Sequence, residues 1–142
     1  MVDRPNLSTT QFNSPHGIQY DPASEFIYVA DAANAFGSGN TPRQIRKTKI
    51  DGTGDVWLDG FDLPRDVCFD PATEYLYVAD TENDRLVKTK IDGSGWVTYG
   101  SLGSSDNQFD RPFSLHYNSA SGYVYILDWA NNRVVKVTPD WS

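Results

Sequence analysis

Three near-copies of one pattern follow each other along the chain. Phe12-Asn13-Ser14-Pro15 opens the first, Phe61-Asp62-Leu63-Pro64 the second and Phe109-Asp110-Arg111-Pro112 the third. A short apolar run follows each opening, then Asp21-Pro22-Ala23, Asp70-Pro71-Ala72 or Asn118-Ser119-Ala120. Next come Ile27-Tyr28-Val29-Ala30-Asp31, Leu76-Tyr77-Val78-Ala79-Asp80 and Val124-Tyr125-Ile126-Leu127-Asp128. The opening Phe advances by 49 and then by 48 residues. A period of that size, with several short strands per copy, marks propeller blades and related arrays. Three such units are too few to close a ring, so the pattern bears on assembly before it bears on activity.

Within a copy the signals are those of strands and turns. In the second copy, residues 66–69 read as a first strand and residues 75–79 as a second. Asp70-Pro71-Ala72-Thr73 between them is a turn, because Pro presets φ and the Asp side chain bonds the backbone beyond it. Residues 80–84 form a polar loop. A third strand covers 85–91, with Leu86, Lys88 and Lys90 alternating against Val87, Thr89 and Ile91. Asp92-Gly93 is a hairpin turn, since Gly supplies positive φ, and a fourth strand covers 96–99. The first copy carries eight extra residues within 32–42, including Phe36 and Gly37, as a surface excursion. The third copy stops at Trp141-Ser142, where a fourth strand should begin. Leu7-Ser8-Thr9-Thr10 stands before Phe12 as a fourth strand stands before the later openings. No segment shows a helical period. The expectation is one all-β domain over residues 1–142, with units at about 12–60, 61–108 and 109–142. A strand within residues 5–11 completes the last unit of another chain.

These residues resemble the NHL repeat family of β-propellers. The likeness rests on Pro15-His16-Gly17-Ile18, on Tyr-Val-Ala-Asp ending at Asp31 and again at Asp80, and on Asn83-Asp84-Arg85-Leu86 and Asn131-Asn132-Arg133-Val134. It runs from Phe12 to Trp141. Gly17 is replaced by Asp66 and Ser114 in the later copies, and the insertion scrambles the Asn-x-Arg segment of the first. The resemblance implies four-stranded blades and a ring of about six. Half a ring then leaves two apolar blade faces and one sheet edge bare, and a two-fold homodimer covers all of them.

Composition narrows function by exclusion. The net charge of −7 argues against a broad nucleic-acid footprint, which needs clustered positive charge. No apolar stretch approaches a membrane-spanning helix, and residues 1–11 contain no apolar core of the signal-peptide kind. The compartment stays open. Cys68, the single cysteine, lies in the apolar run Val67-Cys68-Phe69 and reads as a small buried hydrophobe.

Asp31, Asp80 and Asp128 recur at the end of the second strand. A carboxylate in every copy reads as a loop brace that accepts backbone N–H groups and pairs with Arg85 or Arg133. His16 and His116 are the only histidines, and they occupy different repeat positions. Zinc asks for three or four ligands, so no metal, cofactor or catalytic set is expected. Residues that vary between copies at loop positions are the candidates for a partner face: His16, Phe36, Arg65, Asp66, Phe113 and Trp129. Aromatic and Arg side chains suit a protein or peptide partner. The plainer reading of Phe113 and Trp129 is that they cap the core. Three functions stay open: a non-enzymatic, self-associating binding scaffold; a metal-dependent lyase or hydrolase working across an assembled channel; and a half-propeller fragment whose main property is assembly.

Overall fold

Alternating side chains and Gly-containing turns fold each copy into an antiparallel meander. The computed structural model describes residues 12–32 and 43–141. Blade 1 holds β1 (Pro15–Asp21), β2 (Phe26–Asp31), β3 (Gln44–Lys49) and β4 (Val56–Asp59). Blade 2 holds β5 (Pro64–Asp70), β6 (Tyr75–Asp80), β7 (Arg85–Thr89) and β8 (Val97–Tyr99). Blade 3 holds β9 (Pro112–Asn118), β10 (Tyr123–Asp128) and β11 (Arg133–Val137), three strands among the described residues. Every sheet runs in chain order. The segment 5–11, proposed above as an exchanged strand, and Phe36 lie outside the described residues.

The turns form through the expected side-chain bonds. The Ala23, Ala72 and Ala120 N–H groups donate to the side chains of Asp21, Asp70 and Asn118 at 3.0–3.1 Å. In the hairpin turn Gly93 has φ +83°, and the Asp92 carboxylate accepts the Ser94 N–H at 2.9 Å. That turn begins at Lys90, so β7 ends at Thr89, earlier than its alternation implies. The polar loop after β6 contains a 3-10 turn at Thr81–Asn83, closed by Asp84 in the left-handed region.

Strand register sorts the side chains onto two faces of each blade. On blade 1, Tyr28 pairs with Lys47 and Ala30 with Ile45, so these side chains share a face. That face packs on Val67, Leu76, Val78 and Val87 of blade 2. The opposite face of blade 2, with Cys68, Tyr77, Ala79 and Leu86, packs on Leu115, Val124 and Ile126 of blade 3. The two seams repeat one another. Tyr28 stacks on Phe69 across the first at 4.5 Å, and Tyr77 on Tyr117 across the second at 5.5 Å. The opening aromatics Phe61 and Phe109 plug the rims, against Trp96 and Tyr99. The Lys47, Lys88 and Lys136 ammonium groups lie over the rings of Phe26, Tyr75 and Tyr123 at 4.2–4.6 Å. These three lysines thus cover ring faces at each blade's edge.

At the inner strands the seam is closer still. A Cβ on Gly17 would stand 2.1 Å from Asp66 Oδ1 and 2.6 Å from the Asp66 backbone. Gly17→Ala is therefore expected to cost about 1–3 kcal/mol, read as a lower urea midpoint; an unchanged midpoint would contradict the packing. Cys68 is buried within the second seam, and that burial pushes its thiol pKa up. Its labelling by a thiol reagent should be roughly 100-fold slower in native protein than in denaturant.

Candidate functional site

The end of each second strand is a buried carboxylate joint, paired with an arginine in blades 2 and 3. Asp80 is fully buried and accepts the Asp62 N–H at 2.6 Å, the Asn83 amide at 3.0 Å and Arg85 Nε at 2.7 Å. Asp128 repeats this with the Asp110 N–H at 2.8 Å, Asn131 at 2.9 Å and Arg133 Nε at 2.8 Å. Asp31 accepts the N–H groups of Asn13 and Ser14 at 3.1 and 2.7 Å. In each case the carboxylate ties the end of the second strand to the chain entering the first strand of its blade. Arg133 does more than pair with Asp128. Its fork also donates to the carbonyls of Ser104 at 2.8 Å and Gln108 at 2.6 Å, which pins the linker between blades 2 and 3. Burial pushes the Asp80 carboxyl up from its ordinary range, against the pull of Asn83 and Arg85.

One residue from each copy then meets at the start of the inner strands. His16, Arg65 and Phe113 occupy one repeat position, second in β1, β5 and β9. Arg65 Nη1 stands 3.1 and 3.2 Å from the two ring nitrogens of His16. Its Cζ lies 5.3 Å from the centre of the Phe113 ring. Burial, and then the Arg65 charge, lower the pKa of His16, with Asp31 acting the other way. Both effects disfavour the charged ring.

Asp66 turns away from this trio toward blade 3. Its carboxylate accepts the Ser114 hydroxyl and the Leu115 N–H, each at 2.8 Å, and the Val67 N–H at 2.9 Å. Trp129 stands elsewhere, at the repeat position of Thr81, and is well exposed. The Thr81 hydroxyl bridges two blades by donating to the Pro112 carbonyl at 2.7 Å. Asp84 makes a second bridge, accepting the Arg111 N–H at 2.9 Å. Neither bridge was legible as such, because a Thr or Asp in a polar loop looks the same whether its partner is water or the next blade. The substitution series Gly17, Asp66, Ser114 did carry a signal for the Asp66 contact: three small or polar residues at one inner-strand position. Among the described residues no group of three or more His, Cys, Asp or Glu is placed to hold a metal ion.

No protein-family model and no curated protein sequence matches the chain. Solved structures do. A chain in the crystal structure of a nidogen/laminin complex is similar over 96% of this chain and 48% of its own, at 23% identity and a TM-score of 0.72. A streptogramin B lyase is similar over 94% of this chain and 40% of its own, at 13% identity and a TM-score of 0.69. A hydrazine synthase of Kuenenia stuttgartiensis is similar over 93% and 41%, at 14% identity and a TM-score of 0.54. The chain thus spans about half, or less, of the structures it matches. Together with the meander sheets, these likenesses show the fold: an all-β chain of the β-propeller kind.

The ionic joints make a test of their own. Arg85→Met removes the cation beside a fully buried carboxylate and should cost about 3 kcal/mol at pH 7. Without Arg85 the charged form of Asp80 loses its partner, so its folded-state pKa moves further up. The loss should therefore be largest at neutral pH and shrink as pH falls through the further-raised folded-state pKa of Asp80 in the variant, where its carboxyl takes up a proton and no longer needs the cation. Denaturant midpoints of both proteins across pH check this; a pH-independent difference would contradict it.

Proposed function

We propose that the chain is an NHL-like half-propeller. Two copies close head to tail into a six-bladed ring, which serves as a non-enzymatic binding module for a protein or peptide. One observation carries the closure: the residues that are exposed at the two ends of the arc occupy the positions that are buried inside it. Ile18 is 65% exposed, while its counterparts Val67 and Leu115 are 2% and 9% exposed. Val134 is 64% exposed, while its counterparts Ile45 and Leu86 are fully buried. Leu127, 49% exposed, stands where Ala30 and Ala79 are buried. The free face of blade 3 is thus of the kind that packs forward, and the free face of blade 1 of the kind that packs backward.

A copy of the chain is the matching occupant. Tyr125 holds the position of Tyr28 and Tyr77, and Tyr20 that of Phe69 and Tyr117, so Tyr125 of one copy stacks on Tyr20 of the other. Trp129, in the place of bridging Thr81, then lies at the junction, as does Phe113 toward His16 of the second copy. A head-to-tail joint closes when its rotation divides the circle, and two half-rings need only a two-fold axis. The 48% coverage of the nidogen/laminin chain fits two arcs to one such length. Two joints of this kind bury about 2,000 Å² or more, the scale of obligate interfaces. Among the described residues no strand pairs with the outer edge of β11, which lies beside a groove of about 550 Å³ lined by Tyr99, Asn107 and β11 itself.

The binding role draws support from the exposed trio His16, Arg65 and Phe113 at one end of the inner strands. It also draws on a protein–protein complex among the similar structures. Sedimentation at micromolar concentration should give twice 15.9 kDa. Ile18→Glu and Leu127→Glu should each weaken pairing by roughly a hundredfold, because each buries an unpaired carboxylate in the joint. A wild-type monomer would overturn the reading.

A further inference from the structure

Five of the six described arginines have a carboxylate partner. Arg43 pairs with Asp62, Arg46 with Asp55, Arg85 with Asp80, Arg111 with Glu82 and Arg133 with Asp128. Arg65 has none among the described residues. The carboxylate next to it, on Asp66, is engaged by Val67, Ser114 and Leu115. Its Nε is buried without a hydrogen-bond partner among the described residues. Its nearly equal distances to the two His16 nitrogens place Nη1 beside the ring, off the axis of either lone pair. A guanidinium held between two rings, with no counterion of its own, is a preformed half of an ion pair.

We propose that Arg65, stacked between His16 and Phe113, is a binding site for a single carboxylate carried next to an aromatic group. The buried Nε is covered by protein, so the Nη edge is what meets the ligand. Phe113, 41% exposed, provides an apolar floor on which a ligand ring stacks. His16, whose charged form is disfavoured beside Arg65, adds a polar edge. The net charge of −7 disfavours polyanions as ligands. This gives a ligand class to the binding end proposed above and rests on that end being a binding surface. His16, Arg65 and Phe113 belong to one chain, so the arrangement is present in a single copy, and ring closure adds His16 of the second copy beside Phe113.

The test uses three probes on the full chain at pH 7 and 150 mM salt. They are a hexapeptide ending in phenylalanine with a free carboxylate, the same peptide as its amide, and benzoate. Calorimetry gives affinity, the His16 ring resonances report the place, and mass in the same sample reports ring closure separately. The acid peptide is expected to bind roughly tenfold or more tightly than the amide. Arg65→Gln and Arg65→Lys are each expected to remove that margin, Lys because it keeps the charge but lacks the planar fork. Benzoate binding with the same Arg65 dependence, and no peptide binding, would support the site and assign it to free small carboxylates. If none of the probes binds, or if binding is indifferent to both Arg65 variants, the proposal fails, whatever the mass shows.

Discussion

The packing of one blade face on the next is the interaction on which everything else rests. A single antiparallel meander in this chain has apolar side chains on both faces and cannot bury either by folding on itself. Tyr28 needs Phe69, Tyr77 needs Tyr117, and Val78 needs the face that carries Ala30 and Ile45. Stability is thus carried at seams rather than inside units, as in other repeat folds. The joint at Gly17 and Asp66 shows how little slack a seam has: the absence of one Cβ is what lets two backbones approach.

The ionic joints follow from that packing. A carboxylate as buried as Asp80 or Asp128 is tolerated only when several donors converge on it. Here the donors are the N–H entering the first strand, an Asn amide and an Arg fork. Each joint fixes where the second strand of a blade ends relative to where the chain enters its first. Blade 1 keeps its Asp31 with backbone partners at Asn13 and Ser14, while Arg43 pairs with Asp62. The first copy therefore closes its joint differently from the other two.

Much of the fold was legible from the chain. Asp70-Pro71-Ala72 and Asp92-Gly93 encode their turns through local bonds that need no distant partner, and both form as their chemistry dictates. Strand limits were read less well. β5 begins at Pro64, two residues before its expected start, because pairing with Asp80 extends it. The end of β7 moved the other way, since Lys90 is drawn into the hairpin turn. The short 3-10 turn after β6 had no periodic signal, as three residues cannot carry one. Of the residues singled out for a partner face, His16, Arg65 and Phe113 meet, whereas Asp66 is spent on blade 3 and Trp129 stands at the position of Thr81.

The sequence by itself determined the repeat, the meander within each copy, the turn chemistry and the count of three units. Those features depend on contacts between residues close along the chain, or on the same residue type recurring at a fixed offset. Tertiary structure decided which copies of a position touch: that Arg65 lies between two rings, that Asp66 reaches over Gly17 toward Ser114, and that Thr81 spans two blades. These contacts join residues 31 to 49 positions apart, and the direction in which a strand faces its neighbour is set by sheet register and twist. No local pattern of residues encodes that direction, so it emerged only when the blades were stacked.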